Sequence, residues 1–465
     1  MKPEPQHWNR MRVTVMGLGR FGGGLGVTRW LAHQGARVTV TDTACESELM
    51  DSLAQLADLD VRLRLGGHHD ADFENTDLVV VNPAISDESP FLAAARAARV
   101  PITTEINLFV ERCRARTVGI TGSVGKSTTT AMLGHVLERV FDHGRTWVGG
   151  NLGRSLLSAL PEISADDIVV LELSSFQLHR TPLARWSPHV ALITNIAPNH
   201  LDWHGTFAAY AAAKLNIVRY QDPEHDSIVI ADTAELREPF MHLFGDLAGI
   251  WRFSRDDGGP SARRQSSSAI ESDDQFVRWD ALALSVPGAH NEANATAALT
   301  AAHALGVDSA AAREALRGFQ GLPDRLECVG SFNGVQYYND SKATTPEAAV
   351  TAMRSFEAPL LVILGGYDKG LDLTPAAREA VKRARFAACV GQTGAMLHDA
   401  IIGGGGATER FASFDEGVHA CLERACEGDV VLLSPGCASW DQFSEYRQRG
   451  QRFKDMVRAF VETSA

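Results

Sequence analysis

Short runs of β-branched and aliphatic residues recur along the chain, each followed by small or polar residues and then by a longer Ala- and Leu-rich stretch. That alternation predicts parallel sheets whose strands are joined by crossover helices. Three blocks separate. The first carries strands over Arg12 to Met16, Arg37 to Thr41 and Asp77 to Val81. Charge interrupts the apolar pattern at Arg112-Cys113-Arg114-Ala115-Arg116, and a second block restarts with strands over Thr117 to Ile120, Asp167 to Leu171, His189 to Ile193 and Ser227 to Ile230. Within it, Asp256 to Ser268 is Gly/Ser-rich with too few apolar residues to bury, which predicts an exposed loop. Another boundary falls at Gly321-Leu322-Pro323. The third block holds strands over Pro359 to Leu364, Phe386 to Val390 and Asp429 to Leu433, with a helix over Pro375 to Arg385. The expectation is an α/β protein of three domains, residues 1–115, 116–322 and 323–465.

A length of 465 residues fits that division, and 45% hydrophobic with 22% charged residues excludes a mainly disordered, collagen-like or coiled-coil chain. The net charge of −13 argues against non-specific binding to nucleic acid or an anionic membrane, so any anionic ligand must be held by local sites. Met1 to His7 lacks the basic end and apolar run of a secretory signal, and no stretch of about 20 apolar residues follows, so a cytoplasmic protein is expected. The seven cysteines are scattered, odd in number and without a C-x-x-C pair, which predicts buried or inert thiols rather than disulfides or a zinc site.

The strongest local signal is Gly122-Ser123-Val124-Gly125-Lys126-Ser127, directly after the Thr117 strand and before a helix-forming run from Thr128. Glycines let successive backbone N–H groups turn toward a phosphate, the lysine adds a point charge, and the Ser127 hydroxyl suits Mg²⁺. Gly17-Leu18-Gly19-Arg20-Phe21-Gly22, with Asp42 ending the next strand, has the written form of a dinucleotide-binding turn, and the same residues serve any negatively charged ligand at a helix N-terminus. Glu172 and His200 follow two further strands of the second block. Parallel strands present their carboxyl ends on one edge of the sheet, so both side chains are expected to face Lys126, in an arrangement suited to a metal bridging phosphate to a second substrate.

These residues stand in the order found in the Mur ligase family, the ATP-dependent amide-forming ligases of peptidoglycan precursor synthesis, and the chain resembles its glutamate-adding branch over nearly its whole length. The resemblance is carried by Gly17-Leu18-Gly19, Thr121 to Thr128, Gly149-Gly150-Asn151-Leu152-Gly153, Leu171 to Leu178, His200-Leu201-Asp202 and Tyr210 with Ala213-Lys214. It continues through His290-Asn291 with Asn294, Asn339 to Thr344, Gly365-Gly366 with Lys369, and Leu433-Ser434-Pro435 with Ala438-Ser439. The resemblance implies a Rossmann-like N-terminal domain for a UDP-linked substrate, a P-loop ATPase domain, and a Rossmann-like C-terminal domain that brings the amino acid. Gly19, Arg20, Phe21, Asp42, Thr43, Asn151, Ser174 and Gln177 then bind UDP-N-acetylmuramoyl-L-alanine. Gly122, Ser123, Gly125, Lys126, Ser127, Thr128, Asn291, Asn294, Arg325 and Asp340 bind ATP. Ser127, Glu172 and His200 hold two Mg²⁺ ions, Lys214 matches a lysine that becomes carbamylated, and Lys126, Glu172, His200 and Lys214 are the catalytic set. Thr344, Lys369, Ser439 and Tyr446 hold glutamate, in its D form, and the enzyme acts as a monomer.

Some positions depart from the family pattern. Val124 replaces an asparagine, Asn199 an aspartate and Asp324 a histidine, while Trp440 and Tyr446 stand where Leu and Phe occur in a familiar relative. Two alternatives stay open: the same ligation with L-glutamate, and a nucleotide- or UDP-sugar-binding regulatory relative without catalysis.

Overall fold

Strands buried on both faces have to be nearly continuous apolar runs. Leu78–Val81, Ile168–Glu172, Val190–Ile193, Leu360–Gly365 and Val430–Leu433 are buried at every residue, and Arg12–Met16 at all but its first. The computed structural model describes residues 8–19, 23–152, 155–233, 236, 250–256, 259–264, 276–278, 282 and 284–464. Within them lie three sheets.

The first sheet is wholly parallel, in the order Val61–Leu65, Arg37–Asp42, Arg12–Met16, Leu78–Val81, Ile102–Thr103. The second has eight strands, in the order Phe276–Arg278, Gly259–Arg264, Ile250–Asp256, Ser227–Ala231, Val190–Ile193, Arg116–Thr121, Ile168–Glu172, Thr146–Gly150. It is parallel from Ile250–Asp256 onward and antiparallel in its first two pairings. The third runs Glu327–Phe332, Val335–Asn339, Val430–Leu433, Leu360–Gly365, Ala384–Val390, Thr408–Arg410, with only the first pair antiparallel.

One expectation is corrected. Asp256 to Ser268 reads as an exposed loop, yet Gly259–Arg264 is a strand that pairs antiparallel with Ile250–Asp256, and Ser261 and Ala262 are buried. Backbone pairing supplies the hydrogen bonds there, so a polar, glycine-containing sequence still extends the sheet edge. Ser266 to Ser268 lie outside the described residues. The thiols also divide. Cys389, Cys421 and Cys437 are buried, and burial pushes the Cys421 thiol up to about 12, whereas Cys45 and Cys426 are exposed.

The first two sheets belong to one compact unit, Met1–Ala281 with Asn294–Ala315, and the third to another, Leu282–Ala293 with Leu316–Ala465. In the first sheet the strand order reverses between Arg12–Met16 and Leu78–Val81, which opens a crevice at their carboxyl ends. In the second unit a buried arginine ties together the segments that follow separate strands. Arg449 donates to Ser341 Oγ (3.0 Å), Ser341 O (2.9 Å), Cys437 O (3.0 Å) and Ala438 O (3.2 Å). Burial lowers its pKa to about 10. Arg449→Leu removes these donors, although Ala438 O keeps the Tyr367 N–H at 2.9 Å, so urea unfolding of the variant is expected to show a loss of about 3 kcal/mol.

Candidate active site

Arg116–Thr121 and the helix Lys126–Val140 are joined by a turn that only glycine fits at two points. A Cβ on Gly122 would lie 1.9 Å from Thr194 Oγ1, and one on Gly125, at φ +85°, 2.4 Å from Asn294 Oδ1. Lys126 Nζ donates to Gly122 O (2.8 Å) and Ser123 O (3.1 Å), while Ser127 and Thr128 open the helix, whose first N–H groups suit an anion. The segment after Val190–Ile193 braces the turn. Asn195 Oδ1 accepts from the N–H groups of Ser123 (3.1 Å) and Val124 (3.0 Å), and its Nδ2 donates to Val124 O (2.9 Å). The Ser123 hydroxyl lies 2.8 Å from both Tyr210 Oη and Ala197 O. Asn195 is missing from the sequence reading. Its signal was its place just beyond the strand beside the phosphate strand.

Glu172 and His200 reach the same edge of the sheet. Glu172 ends its strand opposite Ile120 and Gly150, and its Oε1 accepts from Asn151 Nδ2 at 2.7 Å, while its Oε2 is buried without a hydrogen-bond partner. The imidazole of His200 is held below its usual pKa, first by burial and then by the charges of Lys126 and Lys214, although Asp202 opposes them. Lys214 is 1% exposed, and its Nζ donates to Gly122 O at 2.8 Å. Burial, with Lys126 adding to it against Glu172, lowers the Lys214 pKa to about 7. The structure therefore brings Lys126, Glu172, His200 and Lys214 into one electrostatic neighbourhood. Among the described residues no group of three or more His, Cys, Asp or Glu side chains is gathered for a metal. The orphaned Glu172 oxygen, His200 and the Ser127 hydroxyl do fit Mg²⁺, a hard cation that keeps water and phosphate oxygens as most of its ligands.

A cavity of about 250 Å³ opens at the switch point of the first sheet. Gly17 and Asn82 line it from that sheet, and Asn151, Ser174, Phe176 and Gln177 from the second. Asp42 shapes the glycine turn, accepting from Gly19 N (3.1 Å) and Ala44 N (2.9 Å), with Thr43 exposed beside it. Arg20 and Phe21 lie outside the described residues. Ser174 caps the helix Ser175–Arg180 in a reciprocal capping box with Gln177. Glu105, absent from the sequence reading, also lines the cavity and bonds Ser155 Oγ. Dense packing around it pushes its carboxyl up to about 7 against the opposing Ser155 bond, although its surface opens on the cavity.

Asn294 belongs to the first unit, where its Oδ1 accepts from Thr129 Oγ1 at 3.3 Å. The other expected residues belong to the second unit. Asn291 Nδ2 donates to Pro287 O (2.7 Å), and Arg325 is exposed. Asp340 follows Val335–Asn339, accepts from Ser434 Oγ (2.8 Å) and Leu326 N (3.2 Å), and is pushed up to about 7 by burial against these bonds. Thr344 and Lys369 line one small cavity with Tyr367. Lys369 Nζ stands 5.1 Å from the centre of the Trp440 ring, which is 61% exposed. The Ser439 Oγ is buried without a hydrogen-bond partner. Tyr446 is half-buried, with Lys342 Nζ 5.6 Å from its ring centre.

Three sheets in this order, with a phosphate-type loop on the middle one, define the class. Family profiles described as Mur ligase MurD-like N-terminal domain, Mur ligase middle domain, and Mur ligase, glutamate ligase domain match residues 11–104, 120–302 and 324–437. The chain belongs to the Mur ligase family and is an ATP-dependent ligase. It is 40% identical over 467 residues to the UDP-N-acetylmuramoylalanine–D-glutamate ligase of Roseiflexus sp., covering 97% of this chain and 99% of that one. It is 36% identical over 470 residues to the enzyme of the same name from Symbiobacterium thermophilum, covering 96% and 98%. In fold it is similar to UDP-N-acetylmuramate–alanine ligase from Thermotoga maritima, with a TM-score of 0.59, 22% identity and coverage of 97% and 100%.

The half-buried Glu105 gives a pH prediction. Its folded pKa, about 7, lies above the unfolded value, so its contribution to stability is full below about pH 4.5 and is lost as pH rises toward 7. Glu105→Gln removes that loss. Between pH 4.5 and 8 the variant is expected to gain about 2 kcal/mol relative to the parent in denaturant unfolding, whereas a pH-independent difference contradicts a carboxyl that folding keeps protonated.

Proposed function

We propose that the chain uses ATP to join the amine of D-glutamate to the alanine carboxylate of UDP-N-acetylmuramoyl-L-alanine, in peptidoglycan precursor synthesis, and that it works as a cytoplasmic monomer. Supporting the substrates are the names of relatives that are 33–40% identical over 96–97% of the chain. One geometric observation carries the reading. Glu172 is held on one oxygen by Asn151, at the rim of the cavity, while its other oxygen stays buried and unpaired beside the loop that bears Lys126. That is where a carboxylate-bearing substrate and a nucleotide phosphate would meet.

In this reading residues 1–115 hold the UDP moiety, 116–322 the ATP and 323–465 the amino acid. The alanine carboxylate attacks the γ-phosphate, giving an acyl phosphate and ADP. The glutamate amine then attacks the acyl carbon, and phosphate leaves. Lys126 lowers the repulsion between carboxylate and phosphate, and the loop N–H groups stabilise charge that builds on the phosphoryl oxygens. Ser127 would hold one Mg²⁺ and Glu172 with His200 a second, supplying further charge neutralisation when bound. Lys214, with a pKa of about 7, keeps much of its amine neutral near neutral pH. The neutral amine adds CO₂ and sheds a proton, and the resulting carbamate turns a buried cation into an acceptor. Lys369 and the orphaned Ser439 Oγ suit a dicarboxylate amino acid, which needs a cation and donors to offset its lost hydration.

The test is phosphate release with ATP, Mg²⁺, UDP-N-acetylmuramoyl-L-alanine and each glutamate enantiomer. Release with D-glutamate alone is expected. Preference for the L form overturns the stereochemical part, and binding without amino-acid-dependent release favours the non-catalytic alternative. Lys126→Ala should lower kcat about a thousandfold while changing calorimetric affinity for the UDP substrate less than about twofold, and equal loss of both contradicts the assigned division of ligands.

A further inference from the structure

The loop Asn82–Asp87 leaves Leu78–Val81 at the switch point of the first sheet, and its first residues, Asn82, Pro83 and Ala84, form one wall of the cavity. Its position is set by side chains that come from the second sheet's connections. Arg180 Nη2 donates to Ile85 O at 2.6 Å and its Nη1 to Asp87 Oδ1 at 2.7 Å. His179 Nε2 bonds Asp87 Oδ2 at 2.7 Å, and Trp203 Nε1 donates to Ala84 O at 2.8 Å.

These partners are not scattered over the surface. His179 and Arg180 end the helix Ser175–Arg180, whose Phe176 and Gln177 line the opposite wall. Trp203 lies in the helical turn Leu201–His204, directly after His200. Phe176 packs against His200 (centroids 4.9 Å apart) and edge-on against Trp203 (5.1 Å). One set of contacts thus fixes the spacing of the two walls and the place of His200. Arg180 is also a costly way to gain stability alone. It is 3% exposed, and its Nε is buried without a partner. A guanidinium enclosed with an orphaned N–H gives back much of what its pairing contributes, so what its retention secures is location. Arg96, from the loop's own domain, also donates to Asp87 at both Asp87 O and Oδ1, each 2.9 Å, which makes Asp87 the hub of the wall.

We propose that His179, Arg180 and Trp203 are positioning residues which, through Asp87 and Ala84, set the width of the substrate cavity and its alignment with His200. The inference rests on reading that cavity as the site of the UDP-linked substrate. Asp87 and its partners touch no substrate in this account. They act through the wall.

Asp87→Asn keeps the size of the side chain but weakens the grip, and Trp203→Phe keeps the ring packing while deleting the N–H. Calorimetry and initial rates on the full-length enzyme, titrated with UDP-N-acetylmuramoyl-L-alanine, are expected to show Kd and KM for that substrate raised about tenfold by Asp87→Asn and about threefold by Trp203→Phe. KM for ATP should stay within about twofold. The double variant should lose less than the product of the two, and Asp87→Glu should recover part of the affinity. A lowered Tm with unchanged Kd and KM in both folded variants overturns the proposal in favour of a merely structural clamp. If the parent enzyme itself fails to bind the UDP substrate, the underlying reading of the cavity falls instead, and the two failures are thereby distinguished.

Discussion

Two lysine side chains, Lys126 and Lys214, donate to a single acceptor, the carbonyl of Gly122, at 2.8 Å each. Two ammonium charges on one oxygen repel by about 4 kcal/mol for an effective dielectric of about 20 and a separation of about 4 Å. One of the two is almost wholly removed from water as well. The arrangement persists because the lysine that is buried gives way, its pKa falling to about 7, and because Ser123 O gives Lys126 a second acceptor at 3.1 Å. The carboxylate that acts on Lys214, Glu172, keeps one buried oxygen unpaired.

That constraint explains why the second sheet is so tightly specified around one edge. Gly122 and Gly125 sit where any side chain would collide with Thr194 or Asn294, so the strand-to-helix turn can pass close to its neighbours. The glycine turn of the first sheet is built differently. Gly17 has φ +89°, a Cβ there would lie 2.8 Å from the Cβ of Asn82, and the Asp42 carboxylate is engaged in shaping the turn. The two turns look alike in sequence, but one has a carbonyl shared by two lysine amines and the other backs onto a cavity whose far wall comes from the next domain. Chemistry follows the surroundings more than the glycine spacing.

Much of this was legible from the residues. Runs such as Leu360–Gly365 and Val430–Leu433 announce central strands because burial on both faces leaves no room for polar alternation. The loop at Gly122 is equally plain, since the backbone geometry demands its glycines. Peripheral strands were not legible: Val61–Leu65 alternates with arginines, and Gly259–Arg264, paired on both sides, is polar and glycine-containing. Nor were Glu105, Asp87, His179 and Arg180. Each matters through a partner about 50 or more residues away, as Asp87 does through Arg180, and a single sequence carries no record of such pairs.

Asn195 shows how the same long-range logic offsets an apparent defect. Val124 occupies the point of the phosphate loop where the family pattern has an asparagine, and its apolar side chain is 67% exposed, so it can brace nothing. The carboxamide of Asn195 reaches in from the neighbouring strand end and satisfies the N–H of Ser123, the N–H of Val124 and the carbonyl of Val124 together. With those groups held from outside, the loop keeps its curve without help from the residue at its tip. The remaining N–H groups, at the start of the helix from Lys126, stay oriented toward the place an anion would take. Preorganisation of this kind would lower the cost of ordering the loop around an anion, and it rests on the adjoining segment, where Thr194 Oγ1 also donates to Val124 O at 2.8 Å and Asn195 O also accepts from Ser123 N at 3.0 Å, rather than on the identity of residue 124.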